Sequence, residues 1–251
     1  MLSQNKRDIL AYTLVVAFIS VCLSLFFSFP NYHKFTPGDK STYVGASLQM
    51  IHEKIDNPFG TPQLNSEHPW VKKTKVTYRV TPYLLAKLLN IKGQLIYLFH
   101  GLTSIFLFVS TFLLIHKIMG SRSLAAIITA CLSLTYLGSS GFLQSIPRFD
   151  CLAIGLLILA MYMRLSISIF ILTFLAFWTD ERTIVVSLFV YFFVLCFENS
   201  ISKIRFKDLF LSKATAVLVA LLAYFISRFF LVWLLDLPNP NSGVGFWVIE
   251  R

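Results

Sequence analysis

Residues 9–29 carry no charged side chain, and a run of that length is about what one helix needs to cross the ~30 Å hydrocarbon core of a bilayer. Lys6 and Arg7 precede it, which is also how a signal peptide begins. The run is longer than a signal h-region and no small-residue cleavage site stands before Pro30, so the sequence reads as an uncleaved first span. Composition agrees with lipid as the main solvent. Hydrophobic residues make up 56% of the 251 and charged residues 14%, where a soluble domain carries about a quarter. The net charge of +10 comes from Lys and Arg gathered outside the apolar runs, as suits lipid headgroups, and gives no reason to expect nucleic acid as a partner. Cys22, Cys131, Cys151 and Cys196 lie in or beside apolar runs without metal-ligand spacing and read as small buried hydrophobes.

Further apolar runs cover residues 95–115, 124–137 (extended through Gly138-Ser139-Ser140-Gly141 to Leu143) and 214–235. Between them, residues 151–163, 165–178 and 183–197 are apolar but shorter than a usual span. Such runs are either core helices or crossings whose ends dip into a protein-lined, water-filled cavity. Arg148, Asp150, Asp180, Glu181 and Arg182 punctuate their joints, which favours the second. The expected fold is therefore an all-α, polytopic membrane bundle of about seven transmembrane helices, a single integral-membrane domain over residues 1–251.

Residues 30–93 form a polar loop of roughly sixty residues, far beyond an ordinary connection and for that reason expected to be functional. Pro37-Gly38 marks a turn, and Ser41 or Thr42 can cap a helix whose apolar stripe is Val44, Leu48, Ile51 and Ile55. Thr81-Pro82 reads as the cap and first position of a second helix with Leu84, Leu85, Leu88 and Leu89 on one side. Both fit helices lying on the membrane plane. A cytoplasmic N-terminus places Lys117, Arg122, Arg164, Lys203, Arg205, Lys207 and Lys213 inside, as the positive-inside rule requires. Asp39, Arg79, Arg148, Asp150, Asp180, Glu181 and Arg182 then share the outer face.

Asp180, Glu181 and Arg182 can hold a divalent ion or orient a phosphate; equally, they can form a solvated hairpin in which Asp180 caps the following helix. Asp150, after Pro147-Arg148-Phe149, can be an N-cap. Arg228 sits inside the last apolar run, about two turns from its outer end, where it can pair with Asp236 or receive a lipid-borne phosphate. Asp39 can serve as a general base or be a solvated turn residue. The five histidines show no ligand pattern, and no glycine-rich phosphate loop or nucleophile elbow is present.

Four segments carry a resemblance: Gly38-Asp39-Lys40-Ser41-Thr42-Tyr43 after the first run, Tyr78-Arg79-Val80-Thr81-Pro82 before the second, Arg148-Phe149-Asp150, and Trp178-Thr179-Asp180-Glu181-Arg182. In this layout the chain resembles the GT-C fold membrane glycosyltransferases, as a minimal or truncated member with one carboxylate in the acidic motif. The resemblance implies transfer of a sugar from a polyprenyl-phosphate carrier to a glycan or lipid acceptor on the extracytoplasmic face of a bacterial inner (cytoplasmic) membrane. It makes Asp39 the base, has Arg228 or Arg148 receive the carrier phosphate, and lines the site with Asp180 and Glu181.

A transporter or lipid flippase subunit would be expected to show related halves, and the chain shows no internal repeat. A non-catalytic partner in a membrane complex would use residues 30–93 for docking. That alternative predicts tolerance of Asp39→Asn and sensitivity to apolar changes at Val44 or Leu88; a glycosyltransferase predicts the reverse, read from surface glycans at matched membrane levels.

Overall fold

The computed structural model describes residues 4–28, 43–60, 78–143, 147–198 and 208–235, and every regular element among them is a helix. In chain order these are α1 (Gln4–Ser28), α2 (Tyr43–Asp56), α3 (Thr81–Leu88), α4 (Leu95–Met119), α5 (Arg122–Ser133), α6 (Tyr136–Leu143), α7 (Asp150–Tyr162), α8 (Ser166–Phe177), α9 (Thr183–Glu198), α10 (Asp208–Leu211) and α11 (Thr215–Leu235). Three of them, α1, α4 and α11, contain stretches long and apolar enough to cross a membrane. The pair α5 and α6 makes a fourth if its two halves, bent by 66°, are one broken span. The expected run from 124 to 143 is thus interrupted. At the break the Thr135 hydroxyl accepts the Gly138 N–H at 3.2 Å, so a side chain caps the second half where the first half ends.

Helix α4 is the axis of the bundle. It packs along α7 over the longest stretch and also touches α1, α5 and α6, while α8 joins α7 to α11 and α9 leans on α7. Gly120 ends α4 in the left-handed region at φ +67°, and the Ser121 hydroxyl then caps α5 by accepting the Leu124 N–H at 3.3 Å. The reversal folds α5 back along α4. Close approach is made possible by small residues: a Cβ on Gly155 of α7 would come within 2.8 Å of the Phe106 ring, and one on Gly141 of α6 within 2.2 Å of Ser104 Oγ and 2.8 Å of the His100 carbonyl.

Of the stripe expected on α2, Ile51 and Ile55 are buried in the main core with Tyr83 and Ala86 of α3. Two expectations are corrected. Thr81 is not a cap. Val80 takes that position, and Thr81 Oγ1 instead donates to the Leu175 carbonyl at 2.9 Å, tying α3 to α8. Of the cysteines, only Cys151 is buried; Cys22, Cys131 and Cys196 lie on exposed helix faces, beside large apolar side chains such as Phe18, Ile127 and Phe192 that lipid can cover. Ser41, Thr42 and the loop from 61 to 77 lie outside the described residues.

One of the two atoms nearest Gly141 is the His100 backbone carbonyl, which has little room to yield even if the Ser104 hydroxyl turns aside. Gly141→Ala is expected to destabilise the protein by about 1–3 kcal/mol, seen as a lower unfolding midpoint in detergent.

Candidate functional site

Three non-helical segments meet at one end of the short helices, and backbone hydrogen bonds fix their register. Val80 N and Thr81 N both donate to the Trp178 carbonyl, at 2.7 and 3.2 Å, seating the start of α3 on the end of α8. Phe149, fully buried, has φ +61°, in the left-handed region that such a bulky residue rarely adopts. Its ring packs on Tyr83, Phe99 and His100, with centroids 5.8, 5.5 and 5.2 Å away, and its N–H donates to His100 Nε2 at 3.3 Å. The imidazole and the aromatic cluster hold the backbone in that turn, which sends the Arg148 carbonyl toward α3 and starts α7 at Asp150. Asp150 is therefore not the N-cap expected of it: Phe149 occupies that position, and the Asp150 carboxylate is released to pair with arginines.

Asp180 is the hub. Its Oδ1 accepts the Arg182 N–H at 3.0 Å, a turn that the chain makes for itself between α8 and α9. Arg182 Nε reaches Oδ1 and Oδ2 at 3.1 and 3.0 Å, and Arg182 Nη2 bonds Oδ2 as well. From the far side of the chain, Arg79 Nη2 donates to Asp180 Oδ2 at 3.3 Å while its Nη1 donates to the Arg148 carbonyl at 2.8 Å. Arg182 Nη2 also bonds Asp150 Oδ1 at 2.8 Å, with Arg79 Nη1 at 3.9 Å from the same oxygen. Two carboxylates and two guanidiniums thus alternate around one ring.

A second pair lies beside it. Arg228 of α11 reaches Glu181 Oε1 at 3.2 Å and donates to the Tyr224 hydroxyl at 2.8 Å, with its guanidinium over the Tyr78 ring at 4.2 Å. Asp236, the partner weighed for Arg228 from sequence, lies outside the described residues, as does Asp39.

Burial sorts these groups. The Asp180 side chain is 6% exposed and Arg79 16%, whereas Arg182 is 69% exposed. Burial by itself pushes the Asp180 carboxyl up, but the hydrogen bonds from Arg182 and the charges of Arg79 and Arg182 outweigh it and hold the group below the usual carboxylate range. Burial pushes the Tyr78 hydroxyl up against the opposing pull of Arg228. Arg148 is exposed, and among the described residues it is the one cation of this group whose guanidinium makes no ion pair.

The structure therefore brings Arg79, Asp150, Asp180, Glu181, Arg182 and Arg228 together, with Arg148 at the edge through its carbonyl. Sequence reasoning missed His100, Phe149, Tyr78 and Tyr224, the residues that set the backbone and the aromatic walls; a phenylalanine before an aspartate carries no signal of positive φ. It also missed Lys54, fully buried in α2, whose ammonium donates to the Gly60 carbonyl at 2.9 Å and is pulled by burial down to about 7. Among the described residues no three His, Cys, Asp or Glu side chains are grouped to hold a metal ion. Comparison with family models, with characterised proteins and with solved structures gave no match.

Asp180→Asn would leave Arg79 facing a neutral amide in a buried setting, an expected cost of about 3–5 kcal/mol, whereas loss of the exposed Arg182 side chain should cost far less. The sign with pH follows. The folded state holds Asp180 below its unfolded value of about 3.9, so its stabilisation is complete above that pH and is lost as the pH falls through the folded-state value. Acid unfolding of wild type and Asp180→Asn in detergent should show that dependence only in wild type.

Proposed function

We propose that the chain is a membrane glycosyltransferase of the GT-C kind, moving a sugar from a polyprenyl-phosphate carrier to an acceptor hydroxyl on the extracytoplasmic face. The observation that supports this most is the convergence of segments 78–80, 147–150 and 178–182 on one end of an apolar helix bundle, leaving the exposed Arg182 and the unpaired Arg148 at its rim. The topology that goes with it has α7, α8 and α9 as short crossings beside α1, α4, the α5 and α6 pair and α11, seven in all, with the N-terminus cytoplasmic.

In the reaction, Asp39 accepts the proton of the acceptor hydroxyl as its oxygen bonds the anomeric carbon. The bond between that carbon and the carrier's phosphate oxygen breaks, and the phosphate departs with the bonding electrons. Fixed positive charge is needed where that anion develops, which Arg182 and Arg148 can supply. Arg79 and Arg228 have a different task. Each is paired with a carboxylate and 16% exposed, so they hold the frame; Arg182, also paired but 69% exposed, and Arg148 are the arginines at the rim to which the phosphate is assigned.

A second reading has an observation of its own: Arg79, Arg182 and Arg228 are all paired with carboxylates, as in a purely structural clasp within a transport or scaffold subunit. Surface glycans and membrane-fraction transfer rates separate the two. With membrane levels matched, Asp39→Asn is expected to lower transfer about 10²–10⁴-fold, and Arg182→Ala together with Arg148→Ala about 10²-fold or more. Full activity in Asp39→Asn, or an unchanged glycan profile in a host with a suitable acceptor, would leave the clasp.

A further inference from the structure

The height of the ionic network along α11 can be read from side-chain contacts. Tyr224 stacks on Phe177 and Trp178 at the end of α8, with centroids 5.6 and 5.1 Å away, and Arg228 meets Glu181 at 3.2 Å. These contacts fall near the middle of α11, a helix of 21 residues and about 31 Å. Beyond Arg228 the helix continues for about 10 Å without another charge. That projecting part presents Phe229 and Trp233, 76% and 72% exposed, to its surroundings. The helices that end at the network, α7, α8 and α9, have 13, 12 and 16 residues, about 20, 18 and 24 Å, all short of a ~30 Å hydrocarbon core.

We infer that the network lies inside one leaflet, about 10 Å below the end of α11, at the floor of a water-filled recess that selects small anions. Three observations converge on this. Irregular backbone at 78–80, 147–149 and 178–182 sits at the height of the middle of an apolar helix, which a bilayer tolerates only where the backbone is covered by protein or faces water. Glu181 and Arg182, 44% and 69% exposed, stand at the same height, and charges left bare in hydrocarbon are strongly disfavoured. The side of α11 above them is wholly apolar and ends in a tryptophan and two leucines, the pattern of a lipid-facing wall with an interfacial aromatic. Anion preference follows from charge: among the described residues Arg79, Arg182 and Arg228 pair with the carboxylates of Asp150, Asp180 and Glu181, and Arg148, joined to the ring by its backbone carbonyl, adds one guanidinium in excess. The inference rests on the membrane setting of the chain and is independent of glycosyl transfer.

Thiol labelling in sealed membrane vesicles tests it. Arg148→Cys, Glu181→Cys, Phe229→Cys and Phe230→Cys are made in full-length protein with Cys22, Cys131 and Cys196 replaced by alanine and the buried Cys151 kept. The probes are two membrane-impermeant methanethiosulfonates, one carrying a sulfonate and one a trimethylammonium group. The cysteines at 148 and 181 should react at least about tenfold faster than those at 229 and 230, although the latter lie nearer the end of α11. The sulfonate should also be favoured at 181 relative to its ratio with a free thiol in solution, and less so once Arg148→Ala is added, because Arg148 supplies the excess guanidinium. Labelling after denaturation confirms that all four thiols are present. Equal reaction at 229 and 181 would put the projecting end in water and overturn the recess; no reaction at 148 and 181 would mean a sealed clasp. An unchanged reagent ratio would overturn the anion preference. Arg148→Cys leaves every ion pair of the ring in place, so its result stands even if Glu181→Cys perturbs the fold.

Discussion

The carboxylate of Asp180 holds the polar end of this molecule together. It takes bonds from a guanidinium two residues away and from another on the far side of the first loop, and it does so almost out of contact with water. In such surroundings a single charge is costly, and a charge flanked by two opposite ones is stable only when the geometry is complete. That requirement makes the site cooperative. The Trp178 carbonyl must receive two amides to bring Arg79 in, and Phe149 must hold its left-handed turn to offer both the Arg148 carbonyl and the Asp150 carboxylate.

The apolar part is built on a different principle. Lipid is as apolar as leucine, so helices gain little by hiding side chains from it and depend on close approach. Gly141 and Gly155 let α6 and α7 come against α4, and two buried hydroxyls bond from helix to helix: Ser24 Oγ of α1 to the Ser133 carbonyl of α5 at 2.8 Å, and Ser104 Oγ of α4 to Cys151 Sγ of α7 at 3.1 Å. Meanwhile Leu14, Phe18, Val185, Phe189, Phe229 and Trp233 face outward, an arrangement that water would penalise and lipid does not.

Much of the architecture was legible because it is written locally. The spans of α1, α4 and α11 announce themselves by length and lack of charge, and the joints of α7, α8 and α9 by the charges that interrupt apolar runs. The interruption of α5 and α6 was harder to see, since Leu134-Thr135-Tyr136 looks as apolar as its flanks and only the Thr135 cap reveals the break. The cap assigned to Asp150 failed for a related reason. N-capping is a local preference, and a long-range ion pair with Arg182 outweighs it once the two segments are brought together.

The sequence by itself determined that this is a helical protein with runs long and apolar enough to cross a membrane and with charges gathered at the joints of short apolar helices, because hydropathy and helix length are properties of contiguous residues. Only the tertiary structure decided that Arg79 and Arg182 share Asp180, that Arg228 takes Glu181 between two tyrosines, and that this network stands at mid-height on α11. Those facts depend on how far each helix slides and turns against its neighbour. That is set by contacts between residues as distant as 79 and 180, where a glycine or a ring fixes the approach, and no window of neighbouring residues contains them.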